Sequence, residues 1–265
     1  MIGPNGAGKT SLIRIINQIT APDEGQVIFD GELLHSKHVE QIGYLPEERG
    51  LYKKMKVGDQ LMYLAQLKGL SKAEAQSRLK DWFIRLDIKD WWYKQVDDLS
   101  KGMQQKTQFI ATVVHEPKLL ILDEPFSGFD PINANMLKDE ILGLKERGTS
   151  ILFSTHRMES VEELCDSIAL INQAKVVLTG EKEEVRNRFK KDEYSVKFSG
   201  ELTNSSAFEV VSIDAEQHSA VIKLAKSDGT NQAISALIKQ VDLFEFKEVI
   251  PSFNDIFIQV VEETK

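Results

Sequence analysis

The chain has 265 residues, of which 42% are hydrophobic and 28% charged, which is enough for one large domain and a smaller one. Its net charge of -8 argues against a nucleic-acid partner, because phosphate binding requires a basic surface. The single cysteine, Cys165, excludes an internal disulfide. No apolar run approaches the ~20 residues that a membrane-spanning helix needs.

The first predicted element is a glycine-rich loop that opens a helix. Residues 3–10 match the pattern G-x-x-x-x-G-K-[ST], and Leu12, Ile15, Ile16 and Ile19 follow at helical spacing. In this pattern backbone N–H groups surround phosphate oxygens, the lysine reaches the β- and γ-phosphates, and the threonine binds Mg²⁺. The alternative is a chance glycine-rich turn before a helix. The predicted ATP-binding residues are Gly3, Pro4, Asn5, Gly6, Ala7, Gly8, Lys9, Thr10 and Ser11.

A turn-rich segment and a helical region follow this loop. We predict a short strand over residues 27–29 and helices within residues 56–95. We expect Trp91, Trp92 and Tyr93 to pack in the core. One helix face is apolar and consists of Ala75, Leu79, Trp82, Phe83 and Leu86.

The most informative stretch is Leu99–Asp130. A polar turn over Leu99–Gln104 precedes an amphipathic helix. Four apolar residues, Leu119–Leu122, then lead directly into Asp123 and Glu124, as in a strand buried on both faces of a parallel sheet. Two carboxylates there are costly unless a cation or a proton transfer uses them, and ligands bind at this end of parallel strands. The alternative is a buried strand followed by an acidic helix cap.

A second buried strand is predicted at Ser150–Ser154, and it delivers Thr155 and His156. A lone histidine is usually structural, but this one follows a strand of the same sheet and therefore lies at the predicted nucleotide edge. A closing hairpin within Ile168–Leu178 and a charged helix over Glu181–Lys191 complete the first domain.

From Glu193 onward the pattern changes. Tyr194, Val196 and Phe198 alternate as in a half-buried strand, and further strands and helices follow. This order predicts a small α+β domain with an antiparallel sheet, which contains no cluster of titratable residues that we interpret as a site. The predicted domains are residues 1–190 and 193–265.

These motifs together resemble the ATP-binding cassette (ABC) ATPases. The turn LSKGMQ resembles the signature motif of that family, LLILDEP its Walker B strand, SGFD its D-loop and STH its switch histidine. The segments PEERGLY and PSFNDIF resemble exporters of the ABC-2 class, in its sodium-extrusion and multidrug subgroup. The implied fold class is α/β, a P-loop NTPase cassette with a mixed sheet and a helical subdomain over about residues 52–116, plus the small C-terminal α+β domain.

The resemblance also implies roles for single residues. Thr10 and Asp123 hold Mg²⁺, and Glu124 is the general base that polarises the attacking water. His156 senses the γ-phosphate and orients that water. Glu47 replaces the usual Q-loop glutamine, and it is expected to contact Mg²⁺ and the water because a carboxylate also coordinates Mg²⁺. The alternative for Glu47 is a solvated loop acid.

A second group of residues is implied to act across a dimer interface. In this family Ser100, Gly102 and Gln104 bind the γ-phosphate held by the opposite subunit, and Asp130 belongs to the D-loop. One chain would then carry two half-sites, which meet in a homodimer or a heterodimer. The signature departs from the usual LSGGQ at its third and fifth positions, but Ser100 and Gly102 are retained.

The implied partners are transmembrane permease subunits, which would hold the chain at the cytoplasmic face of the cell membrane. The helical subdomain would offer them a groove. A soluble ABC ATPase acting on ribosomes or DNA and a non-hydrolysing regulatory protein remain alternatives. Family members normally carry about two or three strands and an adenine-stacking aromatic residue upstream of Gly3. We therefore expect a chain that starts at Met1 to lack these strands, and to be poorly soluble and a weak ATP binder.

Overall fold

The computed structural model describes residues 1–48, 50–225 and 229–264. Contacts among them divide the chain into two compact units, Met1–Thr179 and Gly180–Lys265. Among the described residues no helix is both long and apolar enough to cross a membrane.

The division falls earlier than the predicted boundary at residues 190–193. The helix Lys182–Arg188 belongs to the second unit, where Val185 is fully buried and the guanidinium of Arg186 lies 4.9 Å above the ring of Phe253. Most residues of this helix are charged, so the sequence pattern predicted a solvent-exposed helix and gave no weight to its single apolar residue, Val185.

The first unit contains a parallel sheet with helices on it. Its helices are α1 Lys9–Ile16, α2 Val57–Leu67, α3 Lys72–Arg85, α4 Lys101–Val113, α5 Pro131–Glu146 and α6 Met158–Leu164. Its strands are β1 Ile28–Phe29, β2 Glu32–Leu33, β3 Ile42–Leu45, β4 Leu119–Asp123, β5 Ser150–Ser154 and β6 Ser167–Asn172, and β7 Lys175–Glu181 pairs with β6 and runs into the second unit.

The strand β4 is the centre of the parallel sheet β3-β4-β5. Leu120, Ile121 and Leu122 have no exposed surface. Because side chains alternate along a strand, Leu120 and Leu122 pack in a cluster with Phe109, whereas Ile121 packs on the other side with Ile13. The prediction of a strand buried on both faces is confirmed.

Met1 and Ile2 pair with the sheet immediately before the glycine-rich loop, through an isolated bridge rather than a full strand. The amino group of Met1 donates to the carbonyl of Phe153 at 2.6 Å, and Ile2 pairs in parallel with Leu170. These two residues therefore lie between β5 and β6, and they deliver Gly3 to the edge of the sheet.

The helix α1 differs from its prediction. It ends at Ile16, and the side chain that it buries completely is Ile13. Ile19 lies beyond the helix and is 60% exposed, because Gln18 takes a left-handed backbone conformation at φ 57° that stops the helical repeat.

The helices α2, α3 and α4 form a subdomain around their own core. Val57, Leu61, Leu79 and Phe83 are buried in it, and Trp91 and Trp92 pack against it as predicted. Trp92 covers Gly58 so closely that an added Cβ would approach its ring to 2.4 Å. Tyr93 instead is 78% exposed, which corrects the prediction that it packs in the core.

The second unit has the predicted antiparallel sheet, with strand order β11-β8-β10-β9. Apolar residues on one side of this sheet, including Val196, Phe208 and Ile222, pack with Ala233 and Leu237 of a helix. The elements are α7 Lys182–Arg188, β8 Glu193–Ser199, β9 Phe208–Asp214, β10 Ser219–Leu224, α8 Thr230–Leu237, β11 Asp242–Glu248 and α9 Phe253–Glu263.

Candidate nucleotide-binding site

The glycine-rich loop crosses from Ile2 to α1 over the edge of the sheet. Gly3 has φ 158°, and a Cβ there would lie 2.2 Å from the carbonyl oxygen of Ile171, so only glycine fits. Gly8 has φ 102° and immediately precedes α1. The free N–H groups of the first helical turn therefore face the loop, which is the arrangement that binds phosphate.

Lys9 is buried within this loop. Its Nζ donates to the carbonyl of Gly3 at 2.8 Å and to that of Pro4 at 3.0 Å. These two bonds curve the loop around the ammonium group and balance the cost of burying its charge. A phosphate entering the loop would meet this ammonium group from the other side.

Asp123 is held by hydroxyl groups from two different elements. Its register partner Ser154 donates from Oγ to Oδ1 at 2.7 Å, and Thr10 donates from Oγ1 to Oδ2 at 3.4 Å. Asp123 is only 4% exposed. Hydroxyl and carboxylate oxygens side by side are the ligands that Mg²⁺ prefers, so the residues present fit that cation.

Glu124 takes a left-handed backbone conformation with φ 50°. That conformation is costly for a residue with a Cβ and is concentrated at functional sites. The carboxylate accepts three hydrogen bonds from the loop after β5: from the His156 backbone N–H at 2.9 Å, from Thr155 Oγ1 at 3.3 Å and from His156 Nδ1 at 2.7 Å. The side chain therefore has one fixed orientation.

A cavity of about 410 Å³ unites most of the predicted site residues. Glu47 lies at this cavity with Asp123, Glu124 and His156. Gly3 and Pro4 do not line it and instead support Lys9 through their carbonyl groups. The lining residues are Asn5, Gly6, Ala7, Gly8, Lys9, Thr10, Ser11, Glu47, Asp123, Glu124 and His156.

The signature residues do not line this cavity. Ser100 is the N-cap of α4 and accepts from the Met103 N–H at 3.3 Å, so the predicted polar turn is already helical from Lys101. Gly102 lies in the first turn of that helix. The side chain of Gln104 donates to the carbonyls of Val96 and Leu99 within its own chain.

Asp130 is the N-cap of α5. Its carboxylate accepts from the backbone N–H groups of Ile132 at 3.1 Å and Asn133 at 3.0 Å, and from Asn133 Nδ2 at 2.5 Å. These bonds, first of all that from the Asn133 backbone, lower the pKa of the Asp130 carboxyl. The structural role of Asp130 is therefore to cap the N-terminus of α5 at the end of the D-loop.

Four residues that support the predicted motifs were given no role from the sequence, although Thr155 was placed at the end of its strand. Ser154 and Thr155 orient the two carboxylates, and alignment of LLILD with SILFS as parallel strands would have paired Ser154 with Asp123. Gln105 donates to the Ser127 carbonyl at 2.5 Å, and Gln108 donates to the carbonyl of Glu48 at 3.3 Å. No signal in the sequence distinguishes these glutamines from solvent-facing helix residues.

A larger cavity of about 640 Å³ lies elsewhere, between β5 and β6. Its walls are mainly apolar, with Ile151, Leu164 and Ile168 among them. Two of its charged groups, Lys145 and Asp166, pair with each other at 2.6 Å. It offers neither a glycine-rich loop nor paired carboxylates, so the smaller cavity is the candidate nucleotide site.

Two protein-family models match the chain. A family model described as "ABC transporter" matches residues 1–127. A second one, described as "ATP-binding protein DrrA1-3-like, C-terminal domain", matches residues 180–261. The second match begins where the structure begins its second unit.

Individual proteins are also similar over most of the chain. The ABC transporter ATP-binding protein YhaQ of Bacillus subtilis is 43% identical over 264 residues, covering 98% of this chain and 88% of that protein. NatA of the same organism, also an ABC transporter ATP-binding protein, is 34% identical over 76% of this chain and 84% of its own length. A solved structure of the ATP-binding subunit of an ABC transporter superposes with a TM-score of 0.66 at 31% identity, covering 71% of this chain and 80% of that one.

Proposed function

Since the chain belongs to the ABC transporter ATP-binding proteins and is an ATPase of that family, we propose that it energises an ABC-2 type exporter as one of two cassettes bound to transmembrane permease subunits. The observation that carries the proposal is the cavity in which the phosphate loop meets Asp123, Glu124 and His156. The export class rests on the segments PEERGLY and PSFNDIF and on the matched C-terminal unit.

In the proposed mechanism the loop binds the triphosphate of ATP. Backbone N–H groups at the start of α1 and the ammonium group of Lys9 neutralise its charge. Thr10 and Asp123 would hold Mg²⁺, with Glu47 as a further oxygen ligand at the same cavity. Mg²⁺ held there would neutralise negative charge on the triphosphate.

Glu124 then acts as the general base. Its carboxylate is fixed at the cavity by Thr155 and His156, so that it accepts a proton from a water in line with the γ-phosphate. His156 is exposed on the cavity side and contacts the γ-phosphate while it orients Glu124. Positioning and charge stabilisation supply most of the rate in such phosphoryl transfers.

The second half of the site would come from another cassette. Ser100 and Gly102 stand at the N-terminus of α4, which favours an anion, but they do not line the cavity of their own chain. They would therefore contact the γ-phosphate held by a partner, with Gln104 beside them. Gln104 now binds two carbonyls of its own chain and would have to exchange them for the phosphate.

Two measurements test the proposal. Phosphate release from Mg-ATP is expected for the chain and is expected to be lost in Lys9→Ala. Co-expression with permeases from neighbouring genes should yield a complex whose ATP hydrolysis changes with the transported substrate. Hydrolysis without permease association, together with binding to ribosomes or DNA, would favour a soluble ABC ATPase. Nucleotide binding without hydrolysis would favour a regulatory protein.

A further inference from the structure

Three metal-ligating side chains gather on the segment between α1 and β3, outside the nucleotide cavity. They are Glu32, His35 and His38, and their ligand atoms all lie within 4.8 Å of one another. We propose that these three side chains form a binding site for a divalent transition-metal cation of the Zn²⁺ type.

The local fold creates this cluster from residues spaced by three. Asp30 and Gly31 have φ 53° and 84° and turn the chain so that Glu32 pairs with Phe29. His35 then caps a 3₁₀ turn over Ser36–Gln41. Because residues i and i+3 eclipse in that kind of helix, the rings of His35 and His38 stack with centroids 3.8 Å apart.

The distances suit a tetrahedral cation. Oε2 of Glu32 lies 3.9 Å from Nε2 of His35 and 3.6 Å from Nε2 of His38. Bonds of ~2.0–2.1 Å to Zn²⁺ separate the ligands by roughly 3.3–3.5 Å. The two distances from Glu32 therefore need to shorten by about 0.1–0.6 Å. The two imidazole ligand atoms lie within 4.8 Å of each other and need to approach by rotation of the exposed His35 ring, and a fourth position is left for water.

The donor set favours a transition metal over Mg²⁺. Imidazole nitrogens suit Zn²⁺, Ni²⁺ and Cu²⁺, whereas Mg²⁺ takes oxygen ligands. Thr10 and Asp123 in the nucleotide cavity offer only oxygens, so the two places select different cations. Metal binding at Glu32, His35 and His38 thus does not compete with the magnesium required for hydrolysis.

Burial makes one ligand rigid and leaves the others accessible. The side chain of His38 is 7% exposed and its ring lies 5.2 Å from that of Phe29, whereas Glu32 is 71% exposed. The backbone N–H of His35 donates to Nδ1 of His38 at 3.2 Å. A metal bond at Nε2 of His38 requires the ring proton to lie on Nδ1. Nδ1 can then no longer accept from the His35 N–H, so that long hydrogen bond is lost when the metal binds.

The test is calorimetric titration of the EDTA-treated chain with ZnCl₂ in the absence of nucleotide. One Zn²⁺ is expected to bind per chain. Glu32→Gln and His35→Gln should each lower the Zn²⁺ affinity by at least about tenfold, because even residues that only orient a metal ligand usually contribute that much. Both residues are exposed, so folding is not at stake. The matched control is His218→Gln, an exposed histidine of the second unit, which should leave the affinity unchanged.

A spectroscopic measurement separates a metal site from a simple histidine–glutamate ion pair. Tetrahedral Co²⁺ bound to the wild-type chain should give intense visible absorption bands, and these bands should be lost in Glu32→Gln. Zn²⁺ affinity and cobalt bands that are equal in the wild type and both variants would overturn the proposal. So would the absence of Zn²⁺ uptake by the wild-type chain.

Discussion

Nδ1 of His156 lies 2.7 Å from Oε1 of Glu124, although the two residues are 32 positions apart in the sequence. Glu124 follows β4 and His156 follows β5, and the two strands are parallel neighbours. The carboxylate is nearly buried, with 12% of its side chain exposed, while 60% of the imidazole is open to solvent. One group is thus fixed at the cavity, and the other can respond to what enters it.

The first prediction concerns the proposed base. Glu124→Gln should lower turnover by about 10²–10⁴-fold, the usual worth of a general base. ATP binding should persist because the amide keeps the shape of the carboxylate, and ATP-trapped dimers should accumulate. Phosphate release and nucleotide retention are the two measurements.

The control for this substitution is Glu159→Gln, which changes an exposed glutamate at the start of α6. It should have wild-type activity. Unchanged turnover in Glu124→Gln, with ATP bound normally, would assign the base to another group.

How far the sequence predicted the site depends on the kind of residue. The phosphate loop, Asp123 and Glu124 were predictable because strand, loop and carboxylates occur in one order along the chain. Ser154 was not singled out, since its contact with Asp123 depends on the register of two strands. Gln108 was missed because its partner is a backbone carbonyl 60 residues away.

The fold shows the same division. Periodicity predicted β4 and the antiparallel sheet of the second unit, where many residues contribute to the pattern. For α1 it correctly predicted a helix after the loop but extended it to Ile19, whereas the helix ends at Ile16, which packs with Ile13 against the same core cluster. It also left α7 with the first domain, since Val185 is the only apolar residue of that charged helix.

The second prediction concerns the support of Asp123. Ser154→Ala removes the 2.7 Å hydrogen bond to Oδ1 and leaves a buried carboxylate with one donor fewer. The Mg²⁺ concentration for half-maximal ATPase activity should rise by about 10–100-fold, as for other residues that orient metal ligands. Turnover at saturating Mg²⁺ should fall less.

Ser150→Ala is the matched control, because Ser150 begins the same strand and is exposed. It should leave the Mg²⁺ dependence unchanged. Equal Mg²⁺ dependence in Ser154→Ala and the wild type would mean that Asp123 is held without its serine.

The third prediction tests the shared site. Ser100→Arg places a long cation at the N-terminus of α4, where an anion is expected. It should abolish ATPase activity and leave the affinity of the monomer for ATP nearly unchanged. Lys9→Ala should weaken ATP binding itself.

A mixture of the two variants supplies one intact composite site per heterodimer, formed by Lys9 of one chain and Ser100 of the other. One trapped nucleotide per dimer is expected in the mixture, measured after gel filtration with radiolabelled ATP. If the mixture traps no nucleotide while the wild type does, the composite arrangement is wrong, even where coupling between sites suppresses turnover.

The last prediction concerns stability at low pH. Burial, and secondly the nearby charge of Lys68, lowers the pKa of His115 from 6.5 to about 4 in the folded chain. Between pH 6.5 and about pH 4 His115 is protonated in the unfolded chain but not in the folded chain. The free energy of unfolding therefore falls as the pH decreases through this range. At 1.36 kcal/mol per pKa unit, the loss of unfolding free energy between pH 7.5 and pH 5 is about 2 kcal/mol.

His115→Gln removes the titrating group at similar volume. It should therefore reduce this pH-dependent loss by that amount, whatever the substitution itself costs in stability at pH 7.5. Urea unfolding at several pH values measures it, with His218→Gln as the exposed control. Carboxylates titrate equally in all three chains, so only the difference between the curves reports His115, and parallel curves for His115→Gln and the wild type would show that His115 is protonated as readily in the folded chain as in the unfolded one.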